Sequence, residues 1–110
     1  MIKLIALYSQ PADIEAFEHH YAHVHVPLVE KLPGLRKTEW TRLLAGPEGA
    51  PPYYMMFEMY FDNLAAYEAA MNSPENKAAG EDLQSFAAGL VTLMLAEAYE
   101  DEVRRVKSDE

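Results

Sequence analysis

Four histidines fall within one short stretch of the chain, and they are its best candidates for chemistry: His19, His20, His23 and His25. A histidine in an apolar setting stays neutral and can accept a proton from an acidic C–H group or a phenol. Two histidines four residues apart on a helix, such as His19 and His23, can instead chelate a transition metal. The element that carries the stretch decides which imidazoles face the interior.

The periodicity of apolar residues predicts that this element is an amphipathic helix beginning near residue 14. Its inward face recurs at three- and four-residue steps, through Ile14, Phe17, Tyr21, Val24 and Leu28. On this period His25 lies beside Tyr21 at the edge of the inward face. His19 and His23 face solvent and His20 lies on the border. The spacing therefore favours an acid–base role for His25, and we expect no functional metal site.

Two prolines shape the end of this helix. Pro27 lacks the N–H that would bond the carbonyl of His23, so we expect the helix to kink or restart there. Pro33 and Gly34 then end it.

The remaining pattern predicts an α+β fold with the ferredoxin-like order β-α-β-β-α-β. Strands are expected at residues 2–8, 35–44, 53–61 and 90–98. Asp62 or Asn63 should cap a second helical region, which restarts at Pro74 and ends before Gly89. Helices can cover only one face of such a sheet, yet most of its strands are apolar on both. We therefore expect a homodimer whose two sheets close into an α-β barrel.

Composition limits the partners and the compartment. The chain of 110 residues fits one domain, and its net charge of −9 argues against nucleic acid or an anionic membrane as a partner. It has no cysteine, which excludes disulfides and thiolate metal ligands. Neither a signal peptide nor a membrane span is predicted, so the expected location is cytoplasmic. Residues 99–110 are dense in charge and should form a solvated end.

Further candidates lie on the central hairpin, where aromatic walls and one carboxylate suit a small planar ligand: Trp40, Tyr54, Glu58 and Tyr60. The carboxylate of Glu58 could orient the imidazole of His25 or bind a ligand hydroxyl. The alternative for the aromatic residues is ordinary core and dimer interface. For His25 it is a structural histidine bonded to a backbone carbonyl. A register error of one residue would exchange the two faces of the strand and separate these groups.

Three short motifs resemble the EthD family, which is named after an ether-degradation gene cluster: His25-x-Pro27-Leu28, Pro33-Gly34 and Asp62-Asn63-Leu64. The resemblance covers nearly the whole chain. It implies the dimeric α-β barrel fold, whose members include cofactor-free monooxygenases, isomerases and haem enzymes. It specifies the fold better than the reaction.

The combined prediction is a small oxidoreductase or isomerase type of protein without a tightly bound cofactor. Its substrate would be a hydrophobic small molecule of aromatic or carbonyl character. His25 is the expected general base, assisted by Glu58. The expected substrate-binding residues are Tyr21, Trp40, Tyr54 and Tyr60. The alternative is a non-catalytic binding or accessory protein that supports a partner oxygenase.

Overall fold

The computed structural model describes residues 1–103 and confirms the predicted order of strands and helices. The strands are β1 (Ile2–Tyr8), β2 (Lys37–Arg42), β3 (Met55–Phe61) and β4 (Val91–Glu97). The helical elements are α1 (Ile14–His20), a π-helical turn (Tyr21–His25), α2 (Val26–Val29), α3 (Leu64–Met71) and α4 (Pro74–Ala87). β2 and β4 are shorter than predicted at both ends, and β3 begins two residues later than predicted but ends at Phe61 as expected.

The strands form one antiparallel sheet in the order β2-β3-β1-β4. Ala6 in the central strand β1 pairs with Phe57 of β3 on one side and with Leu93 of β4 on the other. Helices pack on one face of the sheet, where the ring of Tyr21 meets Phe57 and that of Tyr67 meets Phe61. This is the ferredoxin-like α+β fold that the sequence predicts.

Side-chain caps and a glycine set the bounds of the later helices. The side chain of Asn63, rather than that of its neighbour at position 62, accepts the N–H of Ala66 and begins α3. Ser73 caps α4 in the same way, with Pro74 in its first turn. Gly89, at φ +77°, follows the end of α4 and turns the chain towards β4.

The first helical region departs from the prediction in its middle. The N–H of Val26 donates to the carbonyl of Tyr21, five residues back, so a π turn inserts one extra residue into the helix. Buried residues consequently recur at steps of four, through Phe17, Tyr21, His25 and Val29. Val24, which the sequence places inward, is exposed. Pro27 lies in the first turn of α2. The backbone at His25 and Val26 is helical, so the helix runs on through the π turn and does not stop and restart at Pro27.

The face of the sheet away from the helices is only partly covered. Leu7 pairs with Met56 and Ile5 pairs with Met94, so four apolar side chains lie together there. Three of them are half-buried and Met94 is exposed. We call this face the open face. The predicted covering of it by a second subunit stays a prediction.

Two further expectations concern membranes and the C-terminal end. None of the helices within residues 1–103 is long and apolar enough to cross a membrane. In the end predicted to be solvated, Tyr99 and Val103 are exposed. Its remainder, residues 104–110, lies outside the described part of the chain.

Candidate functional site

The π turn carries His25 into the space between the helices and the sheet. The residue is 4% exposed, and its ring centroid lies 6.2 Å from that of Tyr21 and 5.1 Å from that of Phe86. A regular helical period leaves His25 at the edge of the inward face. The extra residue of the π turn therefore moves the imidazole of His25 from a partly exposed position to a buried one.

A carboxylate on α4, that of Asp82, bridges two of the four histidines. Its Oδ2 lies 3.0 Å from Nδ1 of His25, and its Oδ1 lies 2.8 Å from Nε2 of His20. An ionised carboxylate can only accept hydrogen bonds, so both imidazole nitrogens donate. Neutral His25 then carries its proton on Nδ1. Its Nε2 has no hydrogen-bond partner among the described residues.

The electrostatic setting keeps His25 neutral. Burial lowers the pKa of its imidazole, and it outweighs Asp82, which acts in the opposite direction through its hydrogen bond and its charge. The nearby His20 adds a smaller lowering effect to the pKa of His25. A neutral imidazole held by a carboxylate at Nδ1 presents its Nε2 lone pair as a base.

His25 lines a cavity of about 220 Å³ between α2, α4 and the sheet. We call this the His25 cavity. Its walls are largely apolar and include Ala6, Val29, Phe57, Met59 and Leu83. Asn76 and Gln84 are also among its lining residues. The volume lies below the range of roughly 300–1,000 Å³ for drug-sized ligands, which favours a small, mainly hydrophobic molecule.

Sequence reasoning missed Asp82, although a signal for it was present. Asp82 lies three residues after Ala79 and four before Phe86, both of which face the interior from α4. A carboxylate on the inward stripe of a helix needs a donor partner, because an unpaired buried charge is costly. The histidines of the first helical region are the partners that the fold brings to it.

Tyr21 and Trp40, two of the predicted substrate-binding residues, meet at a separate cavity of about 460 Å³. It lies between the first helical region and the β2–β3 hairpin, and we call it the Trp40 cleft. Its lining residues are Glu18, His19, Tyr21, Ala22, Val26, Trp40, Arg42 and Met55. None of these lines the His25 cavity. The predicted single pocket is therefore two cavities.

Buried oxygens without hydrogen-bond partners lie at and near the Trp40 cleft. They are the hydroxyls of Tyr21 and Tyr54 and the Oε2 atom of Glu18. Glu18 Oε2 lies 3.1 Å from Nη1 of Arg42, a charge contact that lacks the alignment of a hydrogen bond. Burial, reinforced by the charge of Glu18, raises the pKa of Tyr54 to about 12. Both tyrosines stay protonated at neutral pH, since burial also raises the pKa of Tyr21.

The register of β3 places Glu58 and Tyr60 on the open face of the sheet. Phe57 and Met59 line the His25 cavity, and successive side chains of a strand point to opposite faces. Glu58 forms an ion pair with Lys3 on this open face. Contrary to the prediction, Glu58 does not reach the imidazole of His25, and Tyr60 does not line its cavity. The carboxylate that contacts the imidazole of His25 is that of Asp82, and not that of Glu58 as predicted.

His19 and His23 lie on the solvent side of the first helical region, as the period predicts. Their ring centroids are 4.5 Å apart, and both residues are exposed. Within residues 1–103, no group of three or more histidine, cysteine, aspartate or glutamate side chains is arranged to hold a metal ion.

The comparison with known proteins starts from the EthD domain, whose family model matches residues 9–89 and thus spans both His25 and Asp82. A Rhodococcus erythropolis protein, described as an uncharacterized 11.0 kDa protein in the thcB–thcC intergenic region, is 35% identical over 102 residues. The match covers 88% of this chain and 94% of that protein. The chain belongs to the EthD family.

A solved structure of an ethyl tert-butyl ether D (EthD) family protein from Bacillus halodurans is 46% identical to this EthD protein, with a TM-score of 0.85. The match covers 90% of this chain and 99% of that one.

Two more distant structures share the fold alone. A dimeric ferredoxin-like protein of unknown function from Jannaschia is 18% identical, with a TM-score of 0.64 over 88% of this chain and 98% of its own. SnoaB, a cofactor-independent oxygenase from Streptomyces nogalater, is 12% identical, with a TM-score of 0.65 over 91% of this chain and 94% of its own.

Proposed function

We propose that this EthD protein is a small enzyme of oxidoreductase or isomerase type that uses His25 as a general base. The observation that carries the proposal is the buried His25, which lines an apolar cavity and is held at Nδ1 by the carboxylate of Asp82. Its substrate is a hydrophobic small molecule with a carbonyl or aromatic group that makes a C–H or O–H bond acidic. No tightly bound cofactor is required for the proton transfer.

The reaction starts with transfer of a substrate proton to Nε2 of His25. The bonding electron pair stays on the substrate as an enolate or phenolate, while Asp82 stabilises the imidazolium that forms. Return of the proton to a different carbon gives an isomer. Alternatively, reaction of the enolate with dioxygen oxidises a CH₂ group to a carbonyl and reduces the second oxygen atom to water. SnoaB, whose fold is similar, is an oxygenase that works without a cofactor, and this supports the second branch.

We further propose that two copies of the chain pack their open faces together. The patch formed by Ile5, Leu7, Met56 and Met94 is apolar. A second subunit packed on it would bury apolar surface that is partly exposed to solvent in a single chain. The dimeric description of the Jannaschia protein supports this assembly. Equilibrium sedimentation should give a dimer for the native chain and a monomer for Met94→Lys, because the substitution places a charge in the interface.

Deuterium exchange tests the proposed base without knowledge of the final product. The native chain is incubated in D₂O with a panel of small aryl ketones and β-diketones, and mass spectrometry follows deuterium entering the carbon next to the carbonyl. We expect exchange with at least one compound, and a loss of about 100-fold or more in His25→Gln, since a general base contributes roughly 10²–10⁴-fold.

Equal exchange by His25→Gln would contradict the role of His25. Saturable binding of a compound that is returned without deuterium would instead favour the alternative of a non-catalytic binding protein. Oxygen consumption measured in the same samples separates the isomerase branch from the oxygenase branch.

A further inference from the structure

We propose that His20 is a positioning residue for His25, because it holds the carboxylate of Asp82 in the orientation that keeps the proton of His25 on Nδ1. The inference rests on the proposed function, in which Nε2 of His25 is the base and the neutral proton must lie on the other nitrogen. His20 does not line the His25 cavity and acts only through Asp82.

The carboxylate of Asp82 depends on the two imidazoles for its hydrogen bonds. Nε2 of His20 lies 2.8 Å from Oδ1, and Nδ1 of His25 lies 3.0 Å from Oδ2. The hydroxyl of Ser85 is 3.5 Å from Oδ1, but its single proton is directed at the backbone carbonyl of Asp82, 2.7 Å away. Within residues 1–103, no lysine or arginine forms an ion pair with Asp82. Removal of His20 therefore leaves Oδ1 without a good donor.

Asp82 lies at the boundary between the interior and solvent, so burial alone does not fix its orientation. Its side chain is 12% exposed, between 5% for His25 and 33% for His20. An unpaired charged oxygen is costly in the interior, and a carboxylate at this boundary can turn that oxygen towards water. The hydrogen bond from His20 opposes this rotation and keeps Oδ2 directed at Nδ1 of His25.

The π turn brings the two histidines to the same carboxylate. Residues five apart on a regular α-helix point about 140° away from each other. In the π turn the hydrogen bond from Val26 to Tyr21 spans five residues, and positions five apart are drawn towards one face. His20 and His25 are such a pair. The same irregularity that buries His25 thus also supplies its positioning residue.

One aromatic ring on α4 supports both imidazoles. The ring centroid of Phe86 lies 4.5 Å from that of His20 and 5.1 Å from that of His25. Phe86 follows Asp82 by four residues, so the two side chains lie on the same face of α4, one turn apart. Each imidazole therefore has both a packed ring and a bonded nitrogen. A substitution at position 20 can remove the hydrogen bond and keep the ring.

The experiment compares the full native chain with three variants. His20→Phe keeps an aromatic ring against Phe86 but has no donor for Asp82. His20→Gln restores an N–H donor of similar reach. His23→Phe is the matched control, because His23 is an exposed histidine of the same helical region that forms no hydrogen bond with Asp82 among the described residues. Melting curves verify that each variant is folded.

The first measurement is the nitrogen-15 NMR signal of the His25 imidazole, because a merely structural role of His20 would not change the tautomer of His25. We expect the neutral proton in His20→Phe to be shared between Nδ1 and Nε2. The pKa of His25 should fall, since Asp82 no longer lies close to the imidazolium. His20→Gln and His23→Phe should keep the native tautomer.

The second measurement is deuterium exchange into benzoylacetone, an aryl-substituted β-diketone. We expect kcat for exchange to fall about tenfold or more in His20→Phe while KM stays nearly constant, because His20 lies outside the cavity. His20→Gln should recover most of the rate. His23→Phe should exchange like the native chain.

An unchanged tautomer of His25 in His20→Phe would overturn the proposal. A higher pKa of His25 in this variant would also overturn it, because the charge of His20 lowers that pKa and its loss alone would explain a rise. An equal loss of exchange in His23→Phe would do the same.

The positioning role and the proposed function can fail separately. A native chain that exchanges no deuterium, together with a changed tautomer in His20→Phe, would support the positioning of His25 and contradict its role as a base. Loss of exchange in His25→Gln, together with a native tautomer in His20→Phe, would support the base and contradict the positioning by His20.

Discussion

The two sides of the sheet each hold a carboxylate that is largely removed from water, and the two carboxylates have different partners. On the helix side, Asp82 joins the imidazoles of His20 and His25 beside an apolar cavity. On the open face, Glu58 pairs with the ammonium group of Lys3, and the hydrogen bond between them raises the pKa of Lys3. The lysine stays charged at neutral pH and cannot act as a base, whereas His25 can. The carboxylate that marks a candidate site here is therefore the one whose partner is a neutral imidazole that lines a cavity.

The largest expected effect is on the deuterium exchange rate, which should depend on Asp82 but not on Glu58. Asp82→Asn keeps the shape of the side chain but can donate to Nδ1 of His25, which would favour the tautomer with its proton on Nε2. We expect the deuterium exchange rate to fall by about 10²–10⁴-fold. The matched change on the open face, Glu58→Gln, should leave the exchange rate of the folded protein unchanged. A similar loss in both variants would erase the distinction between the two faces.

The second effect concerns stability and should be specific to the open face. Lys3→Met leaves the carboxylate of Glu58 buried without its counter-ion, a change that costs about 3–5 kcal/mol for a fully buried pair. The Lys3 side chain is 23% exposed, so we expect about 2–3 kcal/mol in urea unfolding at fixed protein concentration. The double variant Lys3→Met with Glu58→Leu should recover most of the loss. No recovery would mean that Lys3 stabilises the fold by packing instead of by charge.

A third effect tests whether the unpaired oxygen of Tyr21 is a cost in the free protein. Tyr21→Phe removes a buried hydroxyl that has no partner, so the free energy of unfolding should stay the same or rise by about 1 kcal/mol. Tyr60→Phe is the control on the open face, where the hydroxyl donates to Glu39 and is exposed. A loss of stability of more than 1 kcal/mol in Tyr21→Phe would show that this hydroxyl is bonded in the free protein.

The smallest effect is the dependence of stability on pH. Burial holds the pKa of His25 in the folded chain below its unfolded value of about 6.5, so the unfolded chain takes up this proton first as the pH falls. The unfolding free energy should therefore not be reduced by His25 above about pH 6.5, and it should decrease as the pH falls towards the folded-state pKa of His25. His25→Gln should flatten the unfolding free energy over this interval. An unchanged slope would assign the effect to other groups.

The order and approximate bounds of the strands and helices could be predicted, because short apolar runs, the cap at Asn63 and the proline and glycine breaks between elements are local signals. The first helical region ends at Val29, before the predicted stop at Pro33 and Gly34. The division of the candidate site into the His25 cavity and the Trp40 cleft could not be predicted. Glu58 was paired with His25 because the sequence does not reveal which face of β3 meets the helices, and the register of the sheet decides that. The π turn also has no simple sequence signal, so Val24 was wrongly placed inward, and His25 is more deeply buried than its predicted place at the edge of the inward face.

Asp82 was overlooked for a different reason. Its position on the inward stripe of α4 can be read from the spacing of Ala79 and Phe86, but its partners lie 57 and 62 residues earlier in the chain. Only the packing of α4 against the π turn joins them. Long-range pairs of this kind depend on tertiary structure and not on local pattern.

The most direct test of the account is a nitrogen-15 NMR titration of the His25 imidazole in the native chain and in Asp82→Asn. We predict that the native His25 carries its proton on Nδ1 at neutral pH, with Nε2 unprotonated and a pKa below 6.5. Asp82→Asn should lower that pKa further and disturb the tautomer, because the carboxylate both accepts the Nδ1 proton and attracts the imidazolium. A native His25 that carries its neutral proton on Nε2, or that titrates above pH 6.5, would contradict the claim that this residue is a poised base.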